Sequence, residues 1–327
     1  MATKKSKTSN KSKKTNSTKP AAEKSTAKSA AKATVKTELE APKLKKVEES
    51  KDSKKSEETK SKDTKSKSFL SGFFARKYEE KESILTIFKN PKFYGALLGE
   101  ILGTMLLAFL IFAVLPFNGG VFNMTNYMFP IVAILIAVYA FSGALLNPII
   151  TAGMMATRRI SVIRGIMYII AEVIGAWLAW LIFNAFHLAG GETAMDMSKM
   201  AAVGEGKFLI VTLVEIIGAV IIGFFFARAL KYKRSVFTFA AVVAGGIGLA
   251  MLTGYVVSAA FLGLNANYVM NPAVAMMLQI FPTAGENFGE ILGGICQALS
   301  IYALLPAVGG VVGFYLADFT SRLSGEQ

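Results

Sequence analysis

The sequence predicts an all-α membrane protein: six transmembrane helices plus two re-entrant half-helices, arranged as an inverted repeat. Three observations predict it. Long apolar stretches follow one another from Tyr94 onward, two Asn-Pro pairs interrupt them at matching places, and a Glu–Gly pattern recurs in the first and fourth stretches.

The first fifth of the chain is different in kind. Residues 1–68 carry 21 Lys against 9 Asp and Glu, a balance of 21 − 9 = +12 out of a whole-chain net charge of +14, and no aromatic residue precedes Phe69. Such a segment cannot bury enough apolar surface to offset its ordering entropy, so disorder is expected. No apolar core follows its charges, so it does not read as a signal peptide. Residues 69–92 alternate Phe69, Leu70, Phe73, Phe74, Ile84, Leu85 and Phe88 with Arg76, Lys77, Lys81 and Lys89. Two readings stay open there: an amphipathic helix at the membrane surface, or a linker with exposed aromatics.

The membrane-spanning body is expected over 93–320, with 321–327 as a C-terminal end. A hydrocarbon core of about 30 Å needs roughly 20 apolar residues per helix. Spans are expected near 94–116, 127–143, 162–186, 207–230, 236–260 and 300–319. Two short apolar pieces open at Asn147 and Asn271 and run to Thr157 and Ile280. At a rise of 1.5 Å per residue each reaches only about 14 Å, half a bilayer. Asn is a strong helix N-cap, and Pro at the next position is preset for the first turn. A helix that starts in mid-membrane is tolerated only where its backbone is buried in protein or lines a watery cavity.

Charge gives the orientation. Arg158, Arg159 and Arg164 follow the first half-helix, and Arg228, Lys231, Lys233 and Arg234 lie between spans four and five, whereas 117–126 and 281–300 have neither Lys nor Arg. By the positive-inside rule the basic loops, the tail and both termini are expected on the cytoplasmic side, with 187–206 outside.

The halves repeat. Gly99-Glu100-Ile-Leu-Gly103 matches Val214-Glu215-Ile-Ile-Gly218, and the small residues around Gly175 in span three match those around Gly309 in span six. Three spans and a half-helix, repeated with an odd span count, force opposite orientations and place a site at the repeat interface near the midplane.

At this point the residues 94–320 resemble the aquaporin and aquaglyceroporin (major intrinsic protein) family. The resemblance is carried by Ser142-Gly143 with Asn147-Pro148, by Thr157-Arg158-Arg159, by Met270-Asn271-Pro272-Ala273 and by the Glu–Gly pairs. The first motif reads Asn147-Pro148-Ile149 where the family usually has Asn-Pro-Ala; the second, Asn271-Pro272-Ala273, is intact. The resemblance implies a channel for small uncharged solutes such as glycerol, other polyols and water, held as a homotetramer in the plasma membrane. It also implies an outer selectivity filter, which by spacing falls at Tyr127, Ala259, Tyr268 and Val274. The family usually has Arg at the last of these, and its glycerol-conducting branch follows that Arg with Asp, where this chain has Ala275. A fixed charge and a fork of donors are therefore missing.

Glu172 is an intramembrane acid where the family commonly has Gln; a hydrogen bond that holds a re-entrant loop competes with a proton relay. Glu100 and Glu215 are read likewise, as acceptors for the half-helix backbones. The single His187 lies at the outer end of span three, and Met154–Met155 and Met276–Met277 read as packing rather than as a metal site. One cysteine, Cys296, excludes an intrachain disulfide. No nucleophile–base pair, phosphate loop or His/Cys cluster is visible, so neither enzymatic activity nor a cofactor or metal is expected. Three function classes remain: a passive channel for uncharged solutes, a path for other solutes such as urea or undissociated weak acids, and a membrane-anchored interaction protein acting through its tail. The tail itself suits an anionic lipid surface, non-specific nucleic acid or a spacer role.

Overall fold

A computed structural model describes residues 84–114, 120–191, 207–232, 235–262, 268–280 and 286–325, with backbone alone at 84–85, 114, 120–127 and 262. All fall in the second of the chain's two units, Thr59–Gln327. The expected basic tail 1–68, the first part of the juxtamembrane segment, and most of the outer loops lie outside these residues.

Helices are the regular secondary structure among the described residues, which contain no strands. In chain order they form α1 (Ile84–Lys89), α2 (Pro91–Val114), α3 (Gly120–Ser142), α4 (Pro148–Ala156), α5 (Val162–Ala189), α6 (Phe208–Ala229), α7 (Val236–Val257), α8 (Pro272–Ala275), α9 (Phe288–Leu299) and α10 (Leu305–Leu323). A π-helical turn extends α7 over Ser258–Leu262, another extends α8 over Met276–Ile280, and a third joins α9 to α10 over Ser300–Leu304. Five helical stretches among the described residues are long and apolar enough to cross a membrane, and α3, with side chains described from Met128, supplies a shorter apolar one. Exposed Leu98, Ile166, Trp177, Leu213, Phe237 and Val308 lie along these helices. In water that would be costly; against lipid it is the expected outer surface.

Local sequence sets the helix starts. Ser161 Oγ accepts from Arg164 N at 3.3 Å and Ser235 Oγ from Thr238 N at 3.4 Å, each satisfying an otherwise orphaned first-turn N–H. At the start of α1 and α2, Ile87 and Phe93 are buried, and Phe93 stacks edge-on with Phe88 at 5.7 Å under the Arg164 guanidinium.

Two boundaries differ from the sequence reading. The last span does not begin at 300: helix runs without a break from Phe288 to Leu323, 36 residues. Asn287 Oδ1 caps it by accepting from Glu290 N at 3.0 Å, while Glu290 Oε2 accepts from Glu286 N at 2.9 Å, a reciprocal box that starts a helix well before its hydrophobic part. Pro306 lies inside this run, as in the expected span; its ring would oppose the carbonyl four residues back, at Tyr302, and the helix is widened into a π turn there. Helix α3 begins at Gly120 rather than 127. Asn123, Thr125 and Asn126 read as a polar loop, yet a helix end near the membrane boundary carries such residues.

The repeat is visible in the packing. A Cβ at Gly175 of α5 would meet the Ile101 carbonyl of α2, and a Cβ at Gly309 of α10 would meet the Ile216 carbonyl of α6. Ile101 and Ile216 each follow the glutamate of their span. Close backbone approach through glycine at equivalent positions is how helices associate where no hydrophobic drive between them exists.

Candidate functional site

The two half-helices start at Asn147 and Asn271. Both residues are extended, and each side-chain oxygen accepts from the N–H two residues on: Asn147 Oδ1 from Ile149 N at 2.9 Å, Asn271 Oδ1 from Ala273 N at 3.1 Å. Pro148 and Pro272 fill the first helical positions. The amide nitrogens reach across. Asn147 Nδ2 donates to the Met270 carbonyl at 2.9 Å, and Asn271 Nδ2 donates to the Leu146 carbonyl at 3.0 Å. With the oxygen facing an N–H and the nitrogen facing a carbonyl, both amide orientations are fixed by their partners. One N–H of each NH2 is used in this way, and each amide has a second.

For these carbonyls to face the opposite asparagine, Leu146 and Met270 adopt φ of 54° and 49°. Left-handed backbone costs a non-glycine residue roughly 1–2 kcal/mol, so something must hold it. Glu100 and Glu215 do. Glu100 Oε1 accepts from Leu145 N at 3.1 Å and Oε2 from Leu146 N at 2.7 Å; Glu215 Oε1 accepts from Val269 N at 2.6 Å and Oε2 from Met270 N at 2.9 Å. Both glutamates are fully buried. One helical turn further along each span, Gly103 and Gly218 make room for the Leu146 and Met270 side chains. Bonds from two consecutive amides to one carboxyl clamp each loop before its half-helix starts.

Glu172 of α5, also fully buried, accepts from Thr151 Oγ1 of the first half-helix at 2.6 Å. The far end of that half-helix is tied to α10. Tyr315 donates to the Ala156 carbonyl at 2.9 Å, Arg159 pairs with Asp318 at 2.7 Å, and the Arg159 guanidinium lies 5.3 Å from the centre of the Phe314 ring.

Beside Asn147 lies a small space of about 20 Å3, bounded among others by Leu107, Ile131, Leu135, Leu145, Val243 and Ile247; of the side chains that line it, Asn147 is the polar one. An aliphatic wall facing a single amide leaves room there for about one water.

The four positions expected in an outer filter fare differently. Ala259 is exposed, within the π turn that follows α7; Tyr268 is half-buried with its ring against Gly254; Val274 is fully buried and shows no surface to a lumen; and Tyr127 lies in α3 where only the backbone is described. His187 is half-buried in the last turn of α5, its ring 4.9 Å from that of Phe183. Sequence reasoning missed the acceptor carbonyls of Leu146 and Met270, because their role rests on backbone angles. It also missed Thr151 and Asp318, whose partners are 21 and 159 residues away.

Three comparisons bear on this geometry. Residues 87–316 match the family model described as major intrinsic protein. The chain is 30% identical over 241 residues to the glycerol uptake facilitator protein-like 6 of Lactiplantibacillus plantarum, covering 70% of this chain and 98% of that protein. It is 27% identical over 184 residues to aquaporin-1 of Mus musculus, covering 56% of this chain and 64% of that one. Among solved structures, the aquaglyceroporin from Plasmodium falciparum superposes with a TM-score of 0.54 at 14% identity, over 72% of this chain and 100% of that one; at that identity the likeness shows the fold alone.

Proposed function

The chain belongs to the major intrinsic protein family, a family of membrane channels rather than enzymes, and on that premise we propose that it conducts glycerol or similar polyols and water passively, without coupling to an ion gradient. The observation that carries this reading is the reciprocal pair Asn147–Met270 and Asn271–Leu146 at two facing half-helix starts. Each helix N-terminus presents about half an elementary positive charge. Two of them facing each other repel cations and turn a passing hydroxyl or water oxygen toward the remaining N–H of each amide. A molecule that accepts from both asparagines cannot pass a proton along a continuous chain. Pores of this family are the standard case of such electrostatics.

Glu100, Glu215 and Glu172 act here as scaffold, not as proton carriers: each accepts from a loop or half-helix group. In this reading Tyr127, Ala259 and Tyr268 border the outer filter, while at its fourth position the Val274 side chain is buried and offers no guanidinium. With Val274 in place of a guanidinium, the filter discriminates by width and by the tyrosine hydroxyls rather than by fixed charge. The second reading, a path for urea or undissociated weak acids, rests on the same missing guanidinium. The protein is a multi-pass membrane protein; in this reading it sits in the plasma membrane as a homotetramer with both termini cytoplasmic, and its basic tail lies against anionic lipid.

Stopped-flow swelling of proteoliposomes in water, glycerol, urea and lactic acid tests the reading. Accelerated glycerol and water equilibration with no imposed ion gradient is the expected result. A requirement for a sodium or proton gradient would replace the channel with a coupled transporter.

A further inference from the structure

The first motif ends in Ile149 where the second ends in Ala273. A larger residue at this point of a pore motif suggests a narrower path, but the structure sends it elsewhere. Ile149 is fully buried, and it is absent from the residues that bound the space beside Asn147, which include its neighbours Asn147 and Ile150. It faces α10 instead: a Cβ on Gly310 would run into Ile149 Cγ2 and come within 2.8 Å of the Ile149 carbonyl oxygen. One turn along, the relation reverses, and a Cβ on Gly153 of the half-helix would run into the ring of Phe314. Half-helix and α10 interlock, large on small and then small on large.

The other half does this differently. The register that pairs Asn147 with Asn271 and Gly175 with Gly309 makes Ala273 and Ala176 the equivalents of Ile149 and Gly310, and Met277 and Trp180 the equivalents of Gly153 and Phe314. Ala273 and Ala176 are both fully buried. One half thus places two alanines where the other places one large residue and one without a side chain; the second pair is smaller by about two carbons, so the two halves are packed differently at this level.

We infer that Ile149 is a positioning residue: seated on Gly310, it fixes the depth of the first half-helix, and with it the place of Asn147 Nδ2 against the Met270 carbonyl, without bordering the solute path. The inference rests on Asn147 serving as a midplane donor in the channel reading above. Ile149 is two residues from Asn147 and its own N–H is the one that Asn147 caps, so a shift of Ile149 along α10 moves the amide directly. The departure from the usual motif then alters packing and leaves the width of the path unchanged.

The test compares wild type, Gly310→Ala, Ile149→Ala, Ile149→Val and the double variant Ile149→Ala/Gly310→Ala. Thermal unfolding is read in detergent, and glycerol and water permeability and proton leak in proteoliposomes. Gly310→Ala should lower the melting temperature and the permeability, and the double variant should recover part of both, since the clash with the Ile149 side chain is removed while the 2.8 Å approach to its carbonyl oxygen remains. Ile149→Ala should leave the glycerol-to-water ratio unchanged while raising proton leak, because the asparagine is less firmly placed; Ile149→Val should behave as wild type. A double variant no better than Gly310→Ala overturns the inference. So does Ile149→Ala with a raised glycerol-to-water ratio, which would put Ile149 on the path. Should the wild type not conduct, the channel reading falls, and recovery or non-recovery of the melting temperature in the double variant still decides the pairing.

Discussion

Thr151 Oγ1 donates to Glu172 Oε1 across 2.6 Å of fully buried space, and this bond has no counterpart in the other half of the repeat. The equivalents of Thr151 and Glu172 are Ala275 and Pro306. One half-helix is therefore pinned sideways by a polar bond, whereas the side chains at the equivalent positions of the other can form none. The bond needs an acceptor oxygen on residue 172, not a charge.

Glu172→Gln keeps that oxygen, and it should unfold within about 1 kcal/mol of wild type and conduct normally. Glu172→Leu leaves the Thr151 hydroxyl buried without its acceptor and should destabilise by about 1–3 kcal/mol. Denaturation in detergent with permeability measured in parallel checks both. Loss of conduction in a stable Glu172→Gln protein would instead assign the carboxyl a direct part in transport.

Glu100 and Glu215 each accept from two consecutive amides, and an amide side chain cannot do so. Gln offers one oxygen and turns a donor toward the second N–H. Glu215→Gln should therefore cost about 1–3 kcal/mol of stability and lower water permeability, because the Met270 carbonyl that Asn147 uses loses its support. Glu100→Gln should act alike through Leu146. Unchanged melting in either variant would mean that the loops hold their left-handed residues without the clamp.

Val274→Arg restores a guanidinium where the family usually has one. It should reduce glycerol permeability more than water permeability, read as the ratio of swelling rates in the two conditions. An unchanged ratio would mean that residue 274, fully buried here, does not face the path even when long and charged.

Deleting residues 1–68 should leave the permeability of each inserted protein unchanged, since the clamp, the caps and the half-helices all lie at or beyond Glu100. The isolated segment should bind liposomes rich in anionic lipid and release them as salt rises, because juxtamembrane basic residues gain about 1 kcal/mol each and only within a Debye length of the surface. Co-sedimentation at several ionic strengths measures this. Loss of conduction in correctly inserted truncated protein would make the tail a gate.

Much of this arrangement was legible in the sequence. The two Asn-Pro pairs in apolar surroundings located the half-helices to within a residue, because capping chemistry is local and few residues perform it. The Glu–Gly spacing in spans one and four located the clamp and the glycines that make room beside it. Legibility failed where local and tertiary terms compete. The last span reads from residue 300 with Pro306 inside it, whereas helix already starts at Phe288, a start set by the Asn287–Glu290 cap. Ala259 sits in a π turn, where each extra residue rotates the chain by about 100° relative to an ideal helix, so counting back from Asn271 does not fix which way it faces. The interlock of Ile149 with Gly310 needed the register of two elements that are far apart in sequence.

The crossed bonds from Asn147 to Met270 and from Asn271 to Leu146 span 123 and 125 residues, and this bears on how the protein is made. A ribosome that has finished α5 has produced a capped half-helix whose amide nitrogen and preceding carbonyl still lack their partners. Both wait for the Asn271 segment. The clamp by Glu100 can close early, since its loop is only 45 residues away, and it keeps the left-handed turn ready in the meantime. Long-range contacts form late because loop closure must come first. Nascent chains stalled before residue 271 would therefore hold a prepared but incomplete centre, and the conducting site would be assembled in a single late step when the second half docks.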